Sequence, residues 1–120
     1  MAKPLVVIGH RMGKGQKIAA GVEKAGGEAY VIPGVLADMK LGDKMKELNA
    51  DIGLSFCGSG GAGALNAQNK YGYKAQQQQK NATQFANCVR NGYQVIGGPF
   101  QDSEDIGEAV VNAWKELHEK

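Results

Sequence analysis

The 120-residue chain has few of the residues that mark secreted, metal-binding or membrane-embedded proteins. Its two cysteines, Cys57 and Cys88, cannot form a structural zinc site by themselves, and in a reducing compartment we expect free thiols. No apolar run approaches the length of a membrane-spanning helix, and the start, Met1–Pro4, has no apolar signal-peptide region. We therefore expect a cytoplasmic protein that holds neither a metal ion nor a cofactor.

The net charge of the chain is also small. The chain has 14 Lys and Arg against 12 Asp and Glu, a net charge of +2 that is spread along the sequence. This balance argues against a nucleic-acid or membrane partner. Glycine, by contrast, is abundant with 18 residues, and these cluster at the ends of predicted elements, where they indicate turns and not disorder. At this length residues 1–120 are predicted to form a single domain with one core.

Apolar, β-branched runs alternate along the chain with segments of helical periodicity. Strands are predicted at Pro4–Ile8, Glu28–Ile32, Ile52–Phe56, Tyr73–Gln76 and Tyr93–Ile96. Helices are predicted over Gln16–Ala25, Leu41–Leu48, 63–70 and Ala82–Arg90, with a last one after the N-cap Ser103. The alternation predicts a doubly wound, Rossmann-like α/β domain with about five mostly parallel strands and helices on both faces. The commonest strand order, 2-1-3-4-5, makes strands one and three neighbours.

Glycine-rich loops follow strands one and three. The first, Gly9–Gly15, is basic, and the second, Ser55–Ala64, has the sequence SFCGSGGAGA. A strand, a glycine-rich turn and a helix start together favour anion binding, because free N–H groups and the helix dipole face the ligand. The second loop matches neither G-x-G-x-x-G nor a Walker A loop. Both loops flank the crevice at which open α/β sheets bind ligands, so we expect a site there.

Several side chains near these loops are candidates, each with a plainer alternative. Cys57 ends a strand directly before the glycines, which favours a functional thiol over a buried inert one. His10 lies opposite Cys57 in the predicted order and is preferred to His118, a dipole partner in the last helical turn. Arg11 is either part of an anion-steering edge or a solvated residue, and Arg90 is a candidate for holding a phosphate.

The segment Ser55–Ser59, in a chain of this length, resembles the glycine-rich SFCGS family of small bacterial proteins, which has no established function. The loop Cys57–Gly63 also resembles the C-G-T-G-x-G loop of type B ribose-5-phosphate isomerases and the related galactose-6-phosphate isomerase subunits. Further matching segments follow in the same order: His10 and Gly13 of a D-H-x-G loop, Asn69–Lys70, Tyr71–Ala75 and Val111–Trp114.

The isomerase resemblance implies a fold, a chemistry and an assembly. It implies that Cys57 is the base that moves a proton between adjacent carbons of an open-chain sugar phosphate. His10 is the second catalytic candidate because of its predicted position opposite Cys57. It implies that the backbone of the loop forms the anion hole, made of Gly58, Ser59, Gly60, Gly61, Ala62 and Gly63. Sites between two subunits imply a homodimer or a larger homo-oligomer, for which we expect the small and amide residues Ala64, Asn66, Ala67 and Gln68 to form a two-fold contact.

Two family positions differ in this chain. Gly9 replaces the Asp before the loop His, and no His occurs near Val89–Asn91, where the family has its ring-opening His. Two other functions therefore stay open beside sugar-phosphate isomerisation. One is a non-catalytic sensor or scaffold that keeps the anion site alone. The other is a Cys phosphocarrier of a sugar-uptake system, although the Cys of those domains follows strand one.

Overall fold

The computed structural model describes residues 3–118, so residues 1–2 and 119–120 of the predicted domain lie outside it. Its strands are β1 Leu5–His10, β2 Glu28–Val31, β3 Ile52–Phe56, β4 Ala75–Gln76 and β5 Val95–Gly98. Its α-helices are α1 Gln16–Lys24, α2 Leu41–Leu48, α3 Ala62–Tyr71, α4 Ala82–Arg90 and α5 Glu104–His118, and a 3-10 turn spans Ala37–Lys40. Within residues 3–118, no helix combines the length and the apolar character needed to cross a membrane.

The five strands form one parallel sheet in the order β2-β1-β3-β5-β4. The predicted Rossmann-like α/β fold is confirmed, and β1 and β3 are neighbours as predicted. The last two strands exchange places relative to the predicted order. The physical reason is burial: β5 is buried at all four positions, whereas β4 has two residues that are partly or fully exposed. A very short, exposed strand suits the edge of a sheet, where one side has no partner.

Two apolar layers cover the sheet, one on each face. The larger layer joins α1, α4 and α5 to the strand residues Val6, Ile8, Ile52, Leu54, Phe56 and Ile96. The smaller layer joins α2, α3 and the 3-10 turn to Val7 and Val95. The strand residues alternate between the layers, as the two-residue period of a strand requires.

On the face toward α2 and α3, the central strands β3 and β5 carry glycine at positions 53 and 97. A Cβ at Gly53 would collide with the side chain of Met45, and one at Gly97 would lie 2.8 Å from the Cα of Gly61. The prediction that the fifth strand ends at Ile96 is wrong for this reason, because Gly97 and Gly98 continue the strand. Glycine inside a strand marks a close backbone approach, and here the approaching segment is the glycine-rich loop.

The small residues of α3 serve the packing of the chain itself. Ala64 and Ala67 are fully buried, and a Cβ at Gly42 of α2 would lie 3.0 Å from the Cα of Ala67. The expectation that Ala64 and Ala67 form a two-fold contact is therefore wrong, since α2 already covers them. Leu65, Gln68 and Asn69 are exposed in this part of α3, and Asn66 is partly exposed.

We expect Gly97→Ala to destabilise the protein by about 1–3 kcal/mol, as overpacking of a filled interior does. The new Cβ would press on the backbone of Gly61, which cannot rotate away as a flexible side chain does. Gly58→Ala is the matched control, because the nearest atom to its Cβ would be Phe100 Cε2 at an ordinary 3.4 Å. Urea unfolding of both variants tests this expectation, and equal midpoints for the two would contradict it.

Candidate functional site

The two glycine-rich loops meet at the carboxyl edge of the sheet. β1 and β3 pair in parallel, and their last residues, His10 and Phe56, lie opposite each other. Cys57 directly follows Phe56 and therefore lies close to the end of β1. The N–H of Arg11 donates to the carbonyl of Phe56 at 2.8 Å and ties the two loops together at this point. The two loops therefore lie side by side, with Cys57 and Arg11 at one cavity and His10 at a neighbouring one.

The thiol of Cys57 is the centre of a hydrogen-bonded cluster. The N–H groups of Gly61 and Ala62 donate to its Sγ at 3.3 and 3.2 Å, and the Oγ of Ser59 lies 3.1 Å from the same sulfur. Burial alone would raise the pKa of the Cys57 thiol, but the hydrogen bonds from Ser59, Ala62 and Gly61 together lower it below its ordinary value. A thiolate is the nucleophilic and basic form of cysteine, so this environment favours a chemically active residue.

The loop reaches this geometry through two left-handed residues. Gly60 and Gly61 have φ angles of 91° and 103°, which side-chain-bearing residues rarely adopt. They turn the chain so that α3 begins at Ala62, directly beside Cys57. The N–H groups of Gly61 and Ala62, which we expected to hold a ligand anion, instead surround the sulfur of the chain's own cysteine.

A cavity of about 420 Å³ lies in front of Cys57 and is lined also by Arg11, Gly58, Ser59 and Phe100. The guanidinium of Arg11, at its rim, is 3.6 Å from a carboxylate oxygen of Asp38. Asp38 is fully buried, and both of its carboxylate oxygens lack a hydrogen-bond partner among the described residues. A buried carboxylate needs a compensating charge, so Asp38 holds Arg11 at the cavity.

His10 faces a second cavity of about 250 Å³, which it shares with Met12, Lys14, Phe100, Gln101 and Asp102. The imidazole is buried and accepts the N–H of Met12 on Nδ1, so Nε2 carries the proton of the neutral ring. Burial lowers the pKa of His10, which favours this neutral form. The half-exposed ring of Phe100, 5.4 Å from that of His10, borders both cavities and separates His10 from Cys57.

The start of α1 carries an anion supplied by the chain itself. Asp102, in the segment after β5, accepts the N–H groups of Lys17 and Ile18 through one carboxylate oxygen, at 3.1 Å each. A carboxylate at this position satisfies the free donors of a helix and interacts favourably with its dipole. Asp102 therefore already occupies the start of α1. The basic loop Gly9–Gly15 that precedes this helix contributes Arg11 to the Cys57 cavity and Lys14 to the His10 cavity.

Within this chain, Arg90 lies away from the site. It ends α4 near the start of β5, at the edge of the sheet opposite to Cys57, and its guanidinium contacts Glu116 and Asn87 at 2.9 Å. Cys88, also on α4, lies in the larger apolar layer, and burial raises the pKa of its thiol. Within the described part of the chain, no group of three or more His, Cys, Asp or Glu side chains is placed to bind a metal ion.

The model of the glycine-rich SFCGS family matches residues 5–117. This protein belongs to that family. No curated protein matches it in sequence.

Solved type B ribose-5-phosphate isomerases share the fold. The Trypanosoma brucei enzyme is 18% identical and superposes with a TM-score of 0.69, covering 98% of this chain and 97% of its own. The enzyme of Clostridium thermocellum is 19% identical with a TM-score of 0.64, over 92% of this chain and 82% of its own. That of Trypanosoma cruzi is 14% identical with a TM-score of 0.65, over 98% and 94%. At these identities the likeness establishes a common fold.

We expect the thiol of Cys57 to ionise at a lower pH than that of Cys88, because hydrogen bonds stabilise the first thiolate and burial opposes the second. Ser59→Ala removes one of those hydrogen bonds and should raise the pKa of Cys57 by about 0.5–1 unit, the equivalent of one hydrogen bond. A pH titration of the ultraviolet thiolate absorbance measures this, and Cys57→Ala identifies the signal of Cys88. An unchanged midpoint in Ser59→Ala would contradict the assignment.

Proposed function

We propose that this protein binds a small phosphorylated sugar, or a related anion, in the crevice between the loops after β1 and β3. We further propose that Cys57 moves a proton between adjacent carbons of this ligand. The observation that carries the proposal is the donor cluster around Cys57 Sγ at the floor of a 420 Å³ cavity with Arg11 at its rim. The shared fold with type B ribose-5-phosphate isomerases supports the same class of ligand.

The chemistry follows from which atoms carry charge. The thiolate of Cys57 takes a proton from the carbon beside a ligand carbonyl, and the negative charge passes to the carbonyl oxygen. The hydroxyl on that carbon then gives its proton to the former carbonyl oxygen. The thiol returns its own proton to the former carbonyl carbon, and the carbonyl has moved to the neighbouring carbon. A base with a pKa close to the working pH is the most effective in such a transfer, and the donors at Gly61, Ala62 and Ser59 bring the thiol toward that range. Arg11 attracts the phosphate.

We expect sugar phosphates to raise the melting temperature, and the corresponding free sugars not to do so. At a hundredfold excess over Kd, binding to the native state adds about 2.7 kcal/mol, a shift on the order of 10 °C for a domain of this size. Transfer of solvent deuterium to a ligand carbon, followed by NMR, tests the proton step separately. Cys57→Ala should keep binding and lose this exchange.

The outcomes separate the candidate functions. If the wild-type protein binds sugar phosphates but transfers no deuterium to them, a sensor or scaffold is favoured over an isomerase. A phosphocysteine formed with a phospho-donor protein would favour the carrier. Absence of binding across the sugar phosphates would overturn the proposal as a whole.

We also propose that the protein is a homodimer, or a larger assembly of such dimers, with the site at or near the interface. Six large apolar side chains are exposed around the carboxyl edge of the sheet and on α3: Met12, Val35, Leu36, Met39, Leu65 and Phe100. A patch of this kind favours a protein contact, and a two-fold interface needs only one such self-complementary patch. Among residues 3–118, Arg11 is the one cation that lines the Cys57 cavity, and it already pairs with Asp38, so a second subunit would supply further charge for a phosphate.

Leu65→Glu should convert the assembly to monomers, because it places a charge in the apolar patch without touching the core. Leu117→Glu is the matched control, since Leu117 is exposed to a similar degree, 39% against 44%, on α5 and outside the patch. Light scattering at micromolar concentration gives the mass of each variant. A monomeric wild type would overturn the dimer, and an unchanged mass in Leu65→Glu would overturn this choice of interface.

A further inference from the structure

A run of four glutamines, Gln76–Gln79, passes along the outer side of the glycine-rich loop. The side-chain amide of Gln78 donates to the carbonyl of Ser59 at 2.8 Å, and its backbone N–H donates to the carbonyl of Gly60 at 3.0 Å. The side-chain amide of Gln77 donates to the carbonyl of Gly61 at 3.2 Å. Two adjacent glutamines therefore hold three consecutive carbonyls of the loop.

This arrangement also fixes the opposite side of each peptide unit. The described backbone has no cis peptide bond, and in a trans peptide the carbonyl and the following N–H point in opposite directions. Carbonyls that are held outward at residues 59, 60 and 61 therefore direct the N–H groups of residues 60, 61 and 62 inward. These three N–H groups reach the carbonyl of Cys57 at 3.2 Å and its Sγ at 3.3 and 3.2 Å.

The glutamine segment is itself fitted to this task. Gln78 has a φ of 68°, a left-handed conformation that is uncommon outside glycine and that concentrates at functional sites. Its side chain occupies the space where a Cβ of Gly60 would lie. Gln79 anchors the segment on the sheet. Its N–H donates to the carbonyl of Gly97 at 2.9 Å, and its carbonyl accepts the side-chain amide of Gln101 at 3.2 Å.

We propose that Gln77 and Gln78 are positioning residues, which hold the peptide planes of residues 59–62 so that the loop N–H groups converge on the sulfur of Cys57. The two glutamines have separable shares. Gln77 acts through its side chain on the Gly61–Ala62 peptide, whose N–H reaches the sulfur. Gln78 acts through its backbone on the Gly60–Gly61 peptide, and its side chain holds the Ser59–Gly60 peptide, whose N–H reaches only a carbonyl.

These shares predict unequal effects on the ionisation of Cys57. Gln77→Met keeps the length of the side chain and removes the donor, so the midpoint of the thiolate titration should rise by up to about one pH unit, the most that loss of one hydrogen bond to the sulfur produces. Gln78→Met should produce a smaller rise, because the backbone N–H of residue 78 is retained. Gln76→Met is the control: Gln76 is exposed in β4, and its midpoint should equal that of the wild type.

A second measurement on the wild-type protein does not depend on how the variants fold. The NMR signals of the Ala62 N–H and of the Gln77 side-chain amide should shift together with the titration of Cys57, while those of the Gln76 side-chain amide should not. An unchanged midpoint in folded Gln77→Met, an equal rise in Gln76→Met, or a Gln77 amide that ignores the titration would each overturn the proposal. No ligand enters these experiments, so their outcome is independent of whether sugar phosphates bind.

Discussion

The absence of a β-carbon at Gly61 and at Gly97 sets the distance between the glycine-rich loop and the sheet. A Cβ at Gly61 would collide with the Cα of Gly97, and one at Gly97 would lie 2.8 Å from the Cα of Gly61, so a side chain at either position would push the loop away from β5. The N–H groups of residues 61 and 62 would then no longer point at Cys57 from within hydrogen-bond distance. The ionisation of the thiol, the start of α3 and the cavity in front of them all rest on this backbone contact, which explains why glycine is concentrated here.

Local sequence determines the helices of this protein better than it determines the strands. The predicted limits of α2, Leu41–Leu48, and of α4, Ala82–Arg90, agree with the structure, because periodicity and end signals lie within the same few residues. The end of β5 was missed because glycine marks both a strand end and a close backbone approach, and only the fold distinguishes them. The strand exchange was missed because β4 is too short for its sequence to show that it is an edge strand.

The same exchange explains what was missed at the site. Cys57 and the glycines are adjacent in sequence, so their pattern alone indicated them. Phe100 and Asp102 reach the crevice because β5, and not β4, lies beside β3, a fact that depends on the whole topology. Arg90 was assigned to the site without regard to the direction of α4, which runs away from the carboxyl edge and carries its last residue to the other end of the sheet.

Two helices start at the crevice, and acceptor atoms of the chain already occupy N–H groups at both starts. The carboxylate of Asp102 does so at α1 and the sulfur of Cys57 at α3. An incoming anion that uses the N–H groups of Gly61 and Ala62 has to take them from that sulfur. It does so at least cost when the sulfur is protonated, since a thiol holds these donors more weakly than a thiolate. Anion affinity and the protonation of Cys57 are therefore thermodynamically linked, and an anion that binds at these donors takes up a proton from solvent wherever the thiolate is the resting form.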